Sequence, residues 1–245
     1  MLDLATIDPT SLGKYFDHSV LFKWATEADI REGCKQAVAY NCAAFYASSP
    51  FWLPVIVEEV AGSGVHAAAA ISFPAGTADW RTKAAETRHA VEAGAEELDV
   101  VMNIGALLGG DVRTVQQELE AFVEEAGSCV TKVILEVAYL GDDDIRRAAD
   151  AVVEAGADYI KTSTGAYDGC SLEKFVVMRD AVAGTGVKSK VAGVQPPRPQ
   201  NAYGFLLAGA DLIGTRAVPE IVDALDEMRR TGVIPSAAAP AEAQA

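Results

Sequence analysis

Apolar and polar residues follow two different periods along the chain. Residues 111–127 and 218–228 carry an apolar residue at every third or fourth position, which predicts one amphipathic helix in each segment. Residues suited to N-capping predict further helix starts at Thr26, Thr77 and Ser171. Short apolar runs lie between the helical stretches and predict eight β-strands. These runs are 14–19, 42–47, 65–72, 97–103, 132–139, 158–164, 186–192 and 211–215.

One phrase recurs three times and indicates how helices and strands are joined. It reads "EAGAEELDV" (92–100), "EAGADYIKT" (154–162) and "LAGADLIGT" (207–215). In each copy a helix ends at an Ala-Gly-Ala stop, where glycine supplies a left-handed C-cap, and a strand follows at once. Such alternation is typical of a parallel sheet. Eight strands in 245 residues favour an α/β fold of the (β/α)8 TIM barrel type over an open doubly wound sheet.

The barrel pattern leaves little sequence over. We expect a single domain over residues 14–233, preceded by an N-terminal segment, 1–13. Residues 234–245 are small, polar and interrupted by proline, which predicts a disordered tail.

Charge and composition exclude several classes of function. A net charge of −15 argues against binding to nucleic acid or to an anionic membrane surface. The N-terminus has neither the basic start nor the apolar run of a signal peptide, and no apolar stretch is long enough for a membrane helix. Four cysteines without C-x-x-C pairing and three histidines without ligand spacing indicate no disulfide framework and no metal site. We therefore expect a cytoplasmic protein without metal or cofactor.

One predicted strand carries a charged residue in its middle. Lys161 lies within 158–164, and lysine is seldom fully buried. A strand lysine usually extends to water or pairs with a carboxylate on the outer surface. Apolar neighbours, the following "TSTG" and a lysine on the next strand favour a functional interpretation instead. Strand parity could place Lys161 in the barrel interior with a set of charged residues, although parity alone leaves the inward face open. These residues are Asp99, Lys132, Glu136, Lys188 and Lys190.

A lysine acts as a nucleophile only when its amine is neutral. Burial and a nearby ammonium group both lower a lysine pKa toward the working pH. A neutral amine can attack a carbonyl and form a Schiff base, whose protonated nitrogen withdraws electrons from the neighbouring carbon. A carboxylate such as Asp99, reached through one water, could carry the protons. The hypothesis from the residues alone is an imine-forming lysine at position 161.

Several segments resemble the deoxyribose-phosphate aldolases. They are "DHSVL" (17–21), "SFPAG" (72–76), "KAAETRHAVEAGAEELD" (83–99), "ELDVVMNIGAL" (97–107), "KVILEVAYL" (132–140), "GADYIKTSTG" (156–165) and "KVAG" (190–193). The likeness runs in order from about residue 14 to residue 216. "IKTSTG" combined with the aspartate motif and the third motif makes the resemblance specific.

The resemblance implies a class I aldolase on a TIM barrel that needs no metal. In that family the lysine corresponding to Lys161 forms the Schiff base, the one corresponding to Lys190 perturbs its pKa, and the aspartate corresponding to Asp99 completes the proton relay. The family cleaves 2-deoxyribose 5-phosphate to acetaldehyde and glyceraldehyde 3-phosphate and runs the reverse addition. A small aldehyde or sugar is therefore the expected partner, and a homodimer is one assembly that the resemblance suggests. Expected substrate contacts are Asp17, Ser19, Thr162, Gly165, Gly193, Gly214 and Arg216.

The two segments that bind phosphate in the family have a different sequence in this chain. Where the family reads similarly to "AGGIRT" and "GTSSG", this chain reads "AGVQPPRP" (192–199) and "GTRAVP" (214–219). Val194 replaces a glycine, and two prolines, Pro196 and Pro197, lack N–H donors. Arg216 stands where the family has serine.

Two explanations of this departure stay open. Arg216, together with Arg198, could bind a phosphate through the paired N–H donors of the guanidinium groups. Alternatively, the acceptor carries a carboxylate or free hydroxyls, and an arginine suits a carboxylate equally well. Tyr46 stands where the family commonly has a cysteine, so the pocket wall differs as well. A further alternative is a non-catalytic barrel that binds a sugar phosphate, which the paired lysines disfavour.

Overall fold

Eight parallel strands close into a barrel within residues 2–194 and 198–237, the part of the chain that the computed structural model describes. The strands are β1 (Phe16–Val20), β2 (Ala44–Ala47), β3 (His66–Ile71), β4 (Glu97–Val101), β5 (Val130–Ile134), β6 (Tyr159–Lys161), β7 (Lys188–Ala192) and β8 (Leu212–Thr215). Each strand pairs with the next in chain order, and β1 pairs with β8, where His18 lies opposite Thr215. The predicted (β/α)8 TIM barrel is confirmed.

Helices surround the barrel. They are α1 (Pro9–Leu12), α2 (Glu27–Ala39), α3 (Leu53–Val60), α4 (Trp80–Glu92), α5 (Ile104–Leu108), α6 (Val112–Ala126), α7 (Asp142–Ala155), α8 (Leu172–Ala181), α9 (Pro199–Leu207), α10 (Val218–Asp223) and α11 (Leu225–Arg230). The helix predicted over 111–127 is confirmed as α6. The helix predicted over 218–228 is two short helices, because Ala224 ends α10 and caps the start of α11.

The N-cap predictions are right at two positions and wrong at one. Thr26 and Asp29 form a capping box at the start of α2, and the Ser171 hydroxyl accepts a hydrogen bond from the Lys174 backbone at the start of α8. Thr77 caps nothing. The cap of α4 is Asp79, whose carboxylate accepts hydrogen bonds from two consecutive backbone amides of the first turn.

Two predicted strands end three or more residues earlier than their apolar patterns suggest. The run 132–139 stops pairing as β5 at Ile134, because Glu136 has a φ of 45° in the left-handed region and a 3₁₀ turn, Val137–Tyr139, follows it. The run 158–164 is regular only as far as Lys161. The hydroxyl-bearing residues after β6 thus lie in a loop at the carboxyl end of the barrel, where TIM-barrel chemistry takes place.

The apolar core lies between the barrel and its helices. Outward strand residues pack with the buried faces of the helices, and Cys34 of α2 is fully buried there. The predicted tail begins inside this packing, because Ile234 is buried, while residues 238–245 lie outside the described residues. Among the helices of the described ranges, none combines the length and apolar character needed to cross a bilayer.

Candidate active site

The barrel interior holds a cluster of charged side chains instead of an apolar filling. Lys161 on β6 lies directly opposite Lys190 on β7, and Asp99 on β4 points into the same space. All three side chains are at most 5 % exposed. Lys188, which strand parity could not distinguish from Lys190, begins β7 and is exposed. The structure therefore brings together the three residues that the motifs predict.

Asp99 contacts both lysines directly. Its Oδ2 atom accepts hydrogen bonds from Lys161 Nζ at 2.6 Å and from Lys190 Nζ at 2.8 Å. Lys190 Nζ also lies 2.7 Å from Oδ2 of Asp17 on β1. The sequence-based expectation of a water between Asp99 and the lysine is wrong, because the carboxylate and the amine are already in contact.

The site lowers the pKa of Lys161 to about 8. Burial is the largest cause, because an ammonium group is poorly solvated inside the barrel. The Asp99 carboxylate opposes this effect, and the Lys190 ammonium adds to it. For Asp99 itself, burial would raise the pKa, but the surrounding lysines outweigh burial and hold that pKa far below its usual range. The site thus holds a lysine that loses its proton near neutral pH beside a carboxylate that stays ionised.

A second layer of polar side chains lies further inside the barrel, toward the amino ends of the strands. Lys132 on β5 is within hydrogen-bond distance of Glu97 and donates to the Tyr46 hydroxyl at 2.8 Å. Its ammonium lies 3.7 Å from Asp17 and 3.9 Å from Asp99, which joins this layer to Lys161 and Lys190. Burial lowers the pKa of Lys132, but the three carboxylates outweigh it and raise that pKa.

Glu97 was not predicted as a site residue, while Lys132 was expected only as one of the interior charges and Tyr46 only as part of the pocket wall. Glu97 precedes Asp99 by two positions on β4, so strand parity is the signal that could have placed both on the inward face. Tyr46 also donates to Glu97 at 3.2 Å, and its ring centre is 4.1 Å from Lys190 Nζ. Nδ1 of the half-exposed His66 lies 2.8 Å from the other Glu97 oxygen, so this histidine holds the Glu97 carboxylate in place.

The loop after β6 is held by hydrogen bonds to its neighbours. The Thr162 hydroxyl donates to the Ala192 carbonyl at 3.1 Å and accepts from the Ala192 amide at 3.0 Å. Glu136 accepts from both the amide and the hydroxyl of Thr164. Thr162 does not line the cavity, in contrast to its expected role as a substrate contact. Thr162 instead links the end of β6 to β7 through these two hydrogen bonds.

Lys161 and Lys190 line a cavity of about 540 Å³ at the carboxyl ends of the strands. Most of the substrate contacts expected from the sequence lie on its wall, namely Asp17, Ser19, Gly165, Gly193, Gly214 and Arg216. Asp99 does not line the wall and lies behind Lys161 and Lys190, which do. The altered phosphate-binding segment includes Pro196 and Pro197. Both lie outside the described residues.

Two glycines of the wall are required by close packing. A Cβ on Gly193, which has a φ of 71°, would come within 2.9 Å of Ser163 Cβ. A Cβ on Gly214 would lie 3.1 Å from Lys190 Cε, so this glycine leaves room for the lysine side chain. These positions therefore shape the site through close approach of its strands and loops.

Comparison with known proteins gives a consistent result. The model of the DeoC/LacD family aldolases matches residues 12–234. A protein of Brevibacillus brevis named deoxyribose-phosphate aldolase is 38% identical over 214 residues, which cover 86% of this chain and 95% of that protein. A solved structure from Coccidioides immitis, a putative deoxyribose-phosphate aldolase, aligns with a TM-score of 0.84 and 30% identity, covering 90% of this chain and 88% of its own.

A third relative adds an assembly state. The deoxyribose phosphate aldolase of Aeropyrum pernix, described as tetrameric, aligns with a TM-score of 0.82 and 29% identity over 90% of this chain and 93% of its own. Family match, barrel and lysine geometry all agree with carbon–carbon bond chemistry. The chain therefore belongs to the DeoC/LacD family of aldolases and is a carbon–carbon lyase of class I that resembles deoxyribose-phosphate aldolase.

Proposed function

We propose that Lys161 forms a Schiff base with a small aldehyde donor and that Asp99 and Lys190 serve this reaction directly. The observation that carries the proposal is the 2.6 Å contact between Lys161 Nζ and Asp99, inside a barrel that lowers the lysine pKa to about 8. The neutral amine adds to the donor carbonyl carbon, one proton is taken up and water leaves, which produces a protonated imine. The imine withdraws electrons, so the adjacent carbon can release a proton and become nucleophilic.

Asp99 is placed to carry the protons of these steps. Its Oδ2 lies within hydrogen-bond distance of the reacting nitrogen and of Lys190 Nζ, so one carboxylate connects nucleophile and neighbouring cation. Asp17, on the far side of Lys190, has a pKa that burial raises despite the nearby lysines. We propose that Asp17 fixes the position of the Lys190 ammonium.

The specific reaction that we propose is cleavage of 2-deoxyribose 5-phosphate to acetaldehyde and glyceraldehyde 3-phosphate, and its reverse. Support comes from the relatives named deoxyribose-phosphate aldolase. The test is borohydride reduction in the presence of acetaldehyde, followed by mass measurement of peptides. We expect an adduct on the peptide that carries Lys161. An adduct on another lysine, or no adduct, would contradict the proposed chemistry.

The lowered pKa of Lys161 makes the rate depend on pH in a defined direction. Only the neutral amine attacks, and its fraction grows as pH rises through about 8. We therefore expect kcat/KM for the donor to rise about tenfold per pH unit on the acid side and to level off above that pKa. A pH–rate profile measured under donor-limiting conditions checks this. A flat profile between pH 6 and 8 would contradict the assignment.

A second candidate function differs in the acceptor, whose anionic end would be a carboxylate. Arg216 lies at the cavity wall, is exposed, and has no carboxylate partner in the described part of the chain. A free guanidinium suits a carboxylate as well as a phosphate. We propose that Arg216 binds the anionic end of the acceptor, either a phosphate or a carboxylate.

Replacing Arg216 tests the anion site. For Arg216→Ala we expect KM to rise about tenfold for an anionic acceptor such as glyceraldehyde 3-phosphate and to change little for glyceraldehyde. The matched control is Arg230→Ala, since Arg230 is exposed on α11, pairs with Glu227 and does not line the cavity. Equal effects on both acceptors would remove Arg216 from the anion site.

We propose that several copies of the protein associate and that the protein is cytoplasmic. The tetrameric relative from Aeropyrum pernix supports assembly of several copies, and the lack of paired cysteines in the sequence suits a reducing compartment. A mass measurement in solution would distinguish a dimer from a tetramer.

A further inference from the structure

The cavity that contains Lys161 continues outward along an apolar surface beyond β1. Its large side chains, which we call the aromatic wall, are Leu21, Phe22, Trp24 and Phe73. The rings of Phe22 and Trp24 lie 5.3 Å apart between centroids. Leu21 packs against the small buried cluster that contains Tyr46, whose ring borders the Lys190 ammonium. The aromatic wall is therefore continuous with the lysine site.

Trp24 is the most unusual member of the wall. It is 72% exposed, although a large apolar side chain gains free energy when it is removed from water. Large exposed apolar groups beside a cleft are typical of ligand-binding surfaces. The cavity of about 540 Å³ is within the size range of pockets that hold drug-sized ligands, which is more than a three-carbon aldehyde fills.

We infer that, besides a small sugar-phosphate acceptor, the site accepts aldehydes with an apolar, planar part that lies against the aromatic wall. The inference rests on the proposed aldolase function and adds a substrate class to it. In the addition direction, the nucleophilic carbon of the donor imine bonds to the acceptor carbonyl carbon, and the acceptor oxygen takes up a proton. Water then releases the product and frees the Lys161 amine. The wall binds the acceptor body during this step, because stacking removes the indole of Trp24 from water.

The test uses two neutral acceptors with acetaldehyde as donor. Benzaldehyde has a planar apolar body and no α-hydrogen, so it acts only as acceptor, while glyceraldehyde is small and polar. The measured quantity is the ratio of kcat/KM for benzaldehyde to kcat/KM for glyceraldehyde. In Trp24→Ala we expect this ratio to fall about tenfold, as loss of a stacked aromatic surface implies. Phe22→Ala should lower it as well, and Trp24→Phe should keep most of it.

A matched control separates the wall from aromatic surface in general. Phe51 is 73% exposed, like Trp24, but does not line the cavity, so Phe51→Ala should leave the ratio unchanged. A borohydride adduct on Lys161 with no fall of the ratio in Trp24→Ala would overturn the acceptor assignment alone. Absence of the adduct in the unaltered protein would overturn the proposed function and this inference together.

Discussion

Lys161→Ala is expected to abolish turnover, lowering kcat by about 10⁴-fold or more, because the substitution removes the amine that forms the imine. Lys190 is the nearest alternative amine, but it is held between two carboxylates at 2.7 and 2.8 Å and is not free to attack a carbonyl. The loss should appear equally in cleavage and in addition. Borohydride should then trap no adduct on the remaining peptides.

The fold should survive this substitution. Asp99 keeps Lys190 as its partner at 2.8 Å, so no buried carboxylate is left without a cation. The control is Lys188→Ala, two positions before Lys190 on the same strand, whose exposed ammonium lies over the Tyr159 ring. We expect the control to retain turnover within about twofold. Substantial residual activity in a folded Lys161→Ala protein would contradict the covalent role.

The barrel was predictable because its signals are local. Glycine C-caps before β4, β6 and β8, together with the helical period of α6, depend only on neighbouring residues and specify alternating elements. The exact strand ends were not predictable. The chain turns away after β5 because Glu136 adopts a left-handed backbone conformation. The buried Glu136 carboxylate accepts a hydrogen bond from Thr164, 28 residues later in the chain. A single-sequence pattern contains no signal for such a distant contact.

The residues that meet in the candidate site were mostly predictable, but their contacts were less so. Strand parity gives the face of a residue but not its depth in the barrel, which depends on register. The register places Lys190 level with Lys161, and Lys188 level with Tyr159. Only the motif distinguished the two lysines. Thr162 follows Lys161 directly, so its side chain lies on the opposite face, and its hydroxyl bonds to the neighbouring strand there.

Asp99→Asn is expected to have the second-largest effect, lowering kcat by about 10²- to 10⁴-fold through loss of the proton carrier. The same substitution should move the acid limb of the pH profile below 8. The sign follows from the contacts, because the Asp99 carboxylate stabilises the Lys161 ammonium and so raises its pKa against the effects of burial and of Lys190. An amide withdraws that support, and the amine loses its proton at lower pH.

This pair of effects separates catalysis from damage to the fold. Asp158→Asn is the control, because Asp158 also accepts two hydrogen bonds from a neighbouring strand, but it does so just before β6 begins, at the other end of the barrel. It should lower thermal stability and leave the acid limb in place. If Asp99→Asn lost activity while its acid limb stayed at 8 or rose, the carboxylate would not be in electrostatic contact with the nucleophile. Asp99 would then act only as a structural partner of Lys190.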